Sequence, residues 1–186
     1  MFKTYLELGF KHILDVQAYD HVLFVLTLCA VYTSKEWKKV VILATAFTIG
    51  HSLTLALAVT KLISINPPLI ETLIPITIII TAISNIYHAI SKTDTGRLSY
   101  LLTLIFGLIH GLGFSTMLKA LLGAEDDFLI PLLSFNLGVE LGQLPIVLFA
   151  IILSYIMINI VKCKAEYWNI ILSIFGIIIA TNLLIK

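Results

Sequence analysis

The sequence predicts an all-α integral membrane protein, a bundle of six transmembrane helices forming a single domain over residues 1–186. Three observations carry that prediction. Only 12% of the residues are charged and 59% are apolar, whereas a soluble domain carries about 25% charged residues. Apolar stretches long enough to cross a hydrocarbon core of about 30 Å recur along the whole length, and the mean hydropathy is +1.04. Between them lie short polar separators: TSKEWKK, KLISINPP, SKTDTGR, GAEDD and KCKAE.

The opening MFKTYLELGFKHILD lacks the apolar core and small-residue cleavage site of a removable signal peptide. Phe2, Tyr5, Leu6, Phe10, Ile13 and Leu14 instead predict an amphipathic helix lying at the membrane interface, with His12 on it. Six spans follow, at roughly 16–33, 40–60, 68–90, 98–122, 129–160 and 167–185. Pro67, Pro68 and Pro131 suit helix starts, where the donor that proline lacks has no partner anyway. Pro75 and Pro145 fall inside spans and predict kinks. The fifth span is too long for the bilayer unless it tilts, bends or projects.

Six spans put both termini on one side. The opposite loops carry Lys35, Lys38, Lys39, Lys92, Arg97, Lys162 and Lys164. The termini's side carries Lys3, Lys11, Lys61, Lys119 and Lys186, together with Glu125, Asp126 and Asp127. This bias predicts both termini outside the cytoplasm, in a bacterial inner membrane. The acidic loop would then face outward, as a cation-concentrating surface or simply a solvated turn. Cys29 and Cys163 form no CxxC pair, so no thiolate metal site is suggested. The net charge of +1 says nothing about nucleic acid, but with no basic cluster or RNA-binding motif no nucleic-acid partner is expected.

The informative residues are those that a bilayer should exclude. Asp20 and His21, His51, His110 and Glu140 lie on four different spans, each roughly 18–20 Å from a membrane boundary at 1.5 Å rise per residue. A charged group at a span centre costs about 2.5–3.5 kcal/mol on insertion scales, so repeated placement argues for use. Asn136, Glu140 and Gln143 share one face of the fifth span, and Thr48, His51 and Ser52 share one of the second. Gly107 and Gly111 bracket His110, while Gly138 and Gly142 bracket Glu140. Both pairs are GxxxG patterns, which predicts close packing of spans four and five and brings His110 to Glu140. His88 with Asn85 fits ordinary helix packing.

Imidazoles and carboxylates, with Asn136 nearby and no thiolate, make a nitrogen and oxygen donor set. Such a set suits a divalent transition metal such as nickel, cobalt or zinc and disfavours copper(I). A proton relay through the same groups is an alternative. The stretches HILDVQAYDHVLF, FTIGHSLTLALA, FGLIHGLGFS and FNLGVELGQ, in that order, resemble the HupE/UreJ family of membrane proteins associated with hydrogenase and urease systems. The resemblance implies a nickel or cobalt permease and a metal-binding role for Asp20, His21, His51, His110 and Glu140. In the family's first motif five residues separate a histidine from the Asp-His pair; here seven separate His12 from Asp20. On an unbroken helix that spacing puts His12 and His21 on opposite faces, so His12 is expected outside the ligand set.

The leading expectation is a metal permease or metal-delivery protein, with Asp20 and His21 as outer gate and His51, His110 and Glu140 as a transient site. The alternative is an intramembrane zinc hydrolase in which Glu140 is the general base. A serine protease built on Ser115 is poorer, because span six offers no histidine. A receptor or assembly subunit with a structural metal remains a further class. The partners expected are the lipid bilayer, the metal ion, and a membrane oligomer or a metalloenzyme-assembly protein.

Overall fold

Local chemistry sets most of the helix boundaries. Pro67 and Pro68 open one helix, and Lys92 closes it in the left-handed region. Glu36 reaches back to the Thr33 backbone N–H at 3.2 Å, a capping box that opens another through a single 3-10 turn. The computed structural model describes residues 1–15, 19–63, 66–93, 96–122 and 128–185. The acidic loop at Glu125, Asp126 and Asp127 lies outside them.

The fold is all-α: α1 (Phe2–Ile13), α2 (Asp20–Cys29), α3 (Trp37–Val59), α4 (Pro67–Ser91), α5 (Gly96–Leu122), α6 (Leu129–Tyr155) and α7 (Ala165–Ile185). A π turn, Ile156–Ile160, extends α6. Five helices are long and apolar enough to cross a membrane, and α2 is a shorter apolar one. Pro75 and Pro145 do fall inside helices. With its π turn α6 covers 32 residues, about 48 Å, so it reaches well into the polar interface.

The first span departs from expectation. Within 16–33 the helix is only α2, of 10 residues, and the amphipathic stretch before it forms α1, of 12; neither reaches across alone. Nor does α1 lie across the bundle. Leu6 packs at Gly138, Gly9 between Phe135 and Val139, and Ile13 at Gly142, so α1 stands alongside α6 and runs parallel to it. Its amphipathicity remains: Tyr5, Gly9 and Ile13 are buried, while Lys3, Glu7 and Lys11 form an outer stripe with a Lys11–Glu7 ion pair of 2.8 Å.

The glycines also pair differently from expectation. Spans four and five are not joined through their GxxxG patterns. A Cβ at Gly107 would collide with the Phe47 carbonyl oxygen and one at Gly111 with that of His51, both on α3. One at Gly138 would collide with the Leu6 oxygen and one at Gly142 with that of Phe10, both on α1. GxxxG marks a surface that tolerates backbone approach without choosing the partner.

The two tight pairs, α3 with α5 and α1 with α6, are built alike. Gly50 faces the oxygen of Leu104, three residues before Gly107, and Gly107 faces that of Phe47, three residues before Gly50. Gly9 likewise faces Phe135, three before Gly138, and Gly138 faces Leu6, three before Gly9. The sequence follows the same correspondence. Leu6, Gly9, His12 and Leu14 repeat the spacing of Leu104, Gly107, His110 and Leu112, and Phe47 with Gly50 repeats that of Phe135 with Gly138. Thus α1 answers to α5 and α3 to α6. The remaining long helices, α4 and α7, pack on each other. Because α3 runs antiparallel to α6, with Thr45 and Thr48 at Glu140 and Gln143 and His51 farther along α3 at Phe135, the two pairs point in opposite directions. This is the arrangement of an inverted-topology repeat.

Replacing Gly107 or Gly138 by Leu should cost at least the roughly 1–3 kcal/mol of core overpacking, because the obstacle is backbone. Gly113→Ala is the control, since its Cβ would meet only the mobile end of Ile74. Thermal unfolding in detergent should show a clear drop for both leucine variants and little change for Gly113→Ala. Equal midpoints for all three would remove backbone contact as the organising interaction.

Candidate metal centre

Close packing of α3 on α5 sets His51 and His110, both fully buried, in one layer. The break between α1 and α2 faces this layer, with His12 at the end of α1 and Asp20 and His21 in the first turn of α2. Half-helix ends in a membrane bundle present backbone and side chains to a common point, and an acidic residue suits a helix N-terminus. Ring centroids lie 4.6 Å apart for His12 and His21, 5.1 Å for His21 and His110, and 6.1 Å for His51 with either His12 or His21.

The donor atoms converge as two groups sharing His21. Those of His12, His21 and His51 all lie within 4.8 Å of one another, and so do those of Asp20, His21 and His110. Ligands about 2.0–2.1 Å from one ion sit roughly 3–3.5 Å apart, so small side-chain rotations bring either group to coordinating geometry.

Hydrogen bonding decides which ring nitrogens carry lone pairs. Thr77 donates its one hydroxyl proton to the Ile74 carbonyl at 2.7 Å, so at 3.0 Å it accepts from His110 Nε2–H. His110 Nδ1 is left with a lone pair. Asp20 Oδ1 lies 3.2 Å from His21 Nδ1 and accepts its proton, which leaves His21 Nε2 free to ligate. His12 Nε2, His21 Nε2, His110 Nδ1 and both nitrogens of His51 are buried without a hydrogen bond to the protein. Asn136, whose carbonyl oxygen is equally unpaired, stands beside His51. An unsatisfied buried polar group costs about 1–3 kcal/mol, so such a concentration points to a partner that supplies electrophilic coordination.

Aromatic rings enclose the cluster. Phe114 lies 4.1 Å from His12 and Phe47 lies 5.1 Å from His110, while Phe135 stacks 6.3 Å from His51. On one side the enclosure opens: a cavity of about 370 Å³, lined by Leu8, Lys11, His12, Asp15, Phe114 and Met117, reaches the cluster at His12.

The remaining expected site residues lie elsewhere. Glu140 Oε1 accepts a 2.7 Å hydrogen bond from Thr45, and Gln143 Oε1 one of 3.2 Å from Thr48. Together they form a polar seam between α3 and α6, and Glu140 belongs to neither ligand group among the described residues. His110 and Glu140 are therefore not brought together by the glycines. Ser52 donates to the Thr48 carbonyl of its own helix at 2.6 Å. His12, which the facing argument set apart from the other histidines, has its donor atom beside those of His21 and His51. The facing argument assumed a helix running through to His21, whereas α1 ends at Ile13. The repeated Leu-x-x-Gly-x-x-His-x-Leu pattern, which pairs His12 with His110, is the signal that identifies it.

In comparison with known proteins, a family model described as HupE / UreJ protein matches residues 1–185. No curated protein and no solved structure matches the chain.

If His12 is a ligand, His12→Ala should weaken nickel or cobalt binding by more than about tenfold, as far as His51→Ala does. Titration calorimetry of the purified variants measures this, with His88→Ala, outside the cluster, as the unaffected control. Wild-type affinity in His12→Ala would return this residue to a packing role.

Proposed function

The chain belongs to the HupE/UreJ family, and from that premise we propose that it is a permease carrying a divalent transition-metal ion through the histidine cluster. Family membership marks a membrane protein connected with nickel or cobalt handling, and the His/Asp groups can bind a metal. The observation that carries the finer step is the convergence of uncommitted ring nitrogens from four helices, α1, α2, α3 and α5, at the end of an open cavity. Neutral imidazole suits nickel, cobalt and zinc alike, and among the described residues the two donor groups include one carboxylate, Asp20, so they bind without a dense anionic cage. Such a site captures an ion and can release it again, as a path through a membrane requires.

The roles follow from position. His12 meets the incoming ion first, at the cavity wall. His21, held by Asp20, is common to both donor groups and passes the ion from the His12 and His51 side to the His110 side. His51 and His110 stay fixed by the glycine contacts beneath them. Glu140 ties α6 to α3 through Thr45 and serves as a positioning residue. A hydrolase would need a base beside the metal-bound water. With Glu140 committed to Thr45, no observation favours that class.

We further place both termini outside the cytoplasm of a bacterial inner membrane, on the distribution of Lys and Arg. The cavity at His12, which adjoins the N-terminal helix and Met117, then faces outward.

Proteoliposomes should accumulate nickel or cobalt, and His51→Ala or His110→Ala should reduce the rate to near the protein-free leak. Cys163, partly exposed between α6 and α7, should react with an impermeant thiol reagent only from the cytoplasmic face, with buried Cys29 inert. Stoichiometric binding without uptake would sink the permease; labelling of Cys163 from outside would reverse the orientation.

A further inference from the structure

The inverted repeat makes a demand that the cluster alone does not. If α1 lines the cavity that opens to His12, its counterpart α5 should line a cavity on the other side of the cluster, leading to His110. Such a cavity exists. It lies between α2, α4 and α5 and is lined by Thr81, Ser84, Asn85, Ser99, Thr103 and Phe106. In the register that matches His12 with His110, Thr103 and Phe106 correspond to Tyr5 and Leu8. Tyr5 and Leu8 both line openings on the termini's side. The two cavities differ in size. The first measures about 370 Å³ and the second about 20 Å³, room for about one water.

The second cavity has one polar wall, from α4 and α5, set against the apolar side chains of Leu28, Val31 and Leu102. Thr81 donates its hydroxyl proton to the Thr77 carbonyl at 2.8 Å, and Thr103 donates to Ser99 at 2.7 Å. Asn85 donates its amide to the Thr27 carbonyl at 2.7 Å. With their hydroxyl protons spent on backbone, Thr81 and Thr103 offer oxygen lone pairs to the cavity, and Asn85 adds its amide oxygen. Neutral oxygens replace part of a divalent ion's hydration shell and hold it loosely, without the charge that would trap it. Thr77, which fixes His110, lies one turn before Thr81 on α4, so the oxygens begin where the imidazoles end.

Two rings stand between His110 and this cavity. Phe24 lies 5.1 Å from His110 and 6.2 Å, edge to face, from Phe106, which lines the cavity. Beyond it, Val31 also lines an open cavity of about 320 Å³ that reaches His88 and Glu166.

We propose that the cavity of Thr81, Ser84, Asn85, Ser99 and Thr103 is the release-side station for the transported ion, a polar-walled passage for a divalent cation, contracted here to the space of about one water and closed toward His110 by Phe24 and Phe106. This rests on the permease function proposed above. The same motif, read once from each end of the molecule, thus supplies an entry and an exit, with the exit shut while the entry is open.

The test is metal-independent at its core. Ser84→Cys and Thr103→Cys, each with Cys29→Ala and Cys163→Ser, are probed with a small impermeant cationic thiol reagent in vesicles of either orientation. Ile83→Cys, on the exposed outer face of α4, is the control. The cavity positions should label from the side opposite the termini on the order of tenfold faster than Ile83→Cys, since a thiol reacts as thiolate and needs water. Nickel or cobalt should slow that labelling, and adding Phe106→Ala should open the positions to reagent from the termini's side as well. Thr103→Val, nearly isosteric, should cut uptake several-fold while calorimetric binding at the histidines is unchanged. Labelling no faster than Ile83→Cys, or wild-type uptake in Thr103→Val, would overturn the release station while leaving the permease intact. Rapid labelling in a protein that transports no metal would overturn the permease and the release role with it.

Discussion

A glycine facing a carbonyl oxygen is the contact on which the rest of this molecule depends. Inside a bilayer, lipid tails are as apolar as leucine, so helices gain little by exchanging one for the other. What remains is close van der Waals packing, which grows as backbones approach, with weak Cα–H···O contacts added. Gly50, Gly107 and Gly111 hold α3 on α5, while Gly9, Gly138 and Gly142 hold α1 on α6. That spacing puts His51 level with His110 and seats His12 opposite them. The polar seam from Thr45 and Thr48 to Glu140 and Gln143 then joins one pair to the other.

The cluster is costly on its own terms. Its ring nitrogens would be better satisfied by hydroxyls or amides, and the sequence supplies such groups freely elsewhere. Thr27, Thr54, Thr81, Thr103 and Ser134 all return their hydroxyl protons to backbone carbonyls. Those side chains settle their hydrogen bonds locally, whereas the histidines do not. Only Thr77 and Asp20 engage the imidazoles, and each fixes a tautomer with one nitrogen left over. Satisfied hydroxyls around unsatisfied imidazoles is the division of labour of a site that awaits a ligand.

Much of the fold was legible in the sequence, because hydropathy, proline position and charged separators are local signals. That Asp20, His21, His51 and His110 meet at one level was legible for the same reason, since 1.5 Å per residue is a reliable ruler on a helix. Partner choice was not. Gly107 and Gly111 invite any close neighbour, and the neighbour turned out to carry a lone glycine, Gly50, that no pairwise pattern announces. Likewise the turn that ends α1 at Ile13 is marked by neither Gly nor Pro, so helical-face arithmetic carried His12 to the wrong side. Glu140 was placed correctly on α6 and at depth, yet its hydrogen bond to Thr45 depends on how α3 crosses α6, which no one-dimensional spacing contains. The inverted repeat was written in the sequence, but in four matching residues spread over nine positions.

The broken first span also bears on how the protein is made. A translocating ribosome exposes α1 and α2 first, and neither is long enough to be held in the bilayer as a span of its own. The groove that receives α1 belongs to α6, and the groove for α2 to α4, α6 and α7, all synthesised later. The contacts that seat α1 and α2 therefore wait on helices made after them. His12, Asp20 and His21 ride on those two helices, so the donor set is completed only when the whole chain has been delivered to the membrane. A nascent chain that lacks α6 already carries His12 and His21, but has no surface to seat α1. Competence to bind metal thereby becomes a report that assembly has finished.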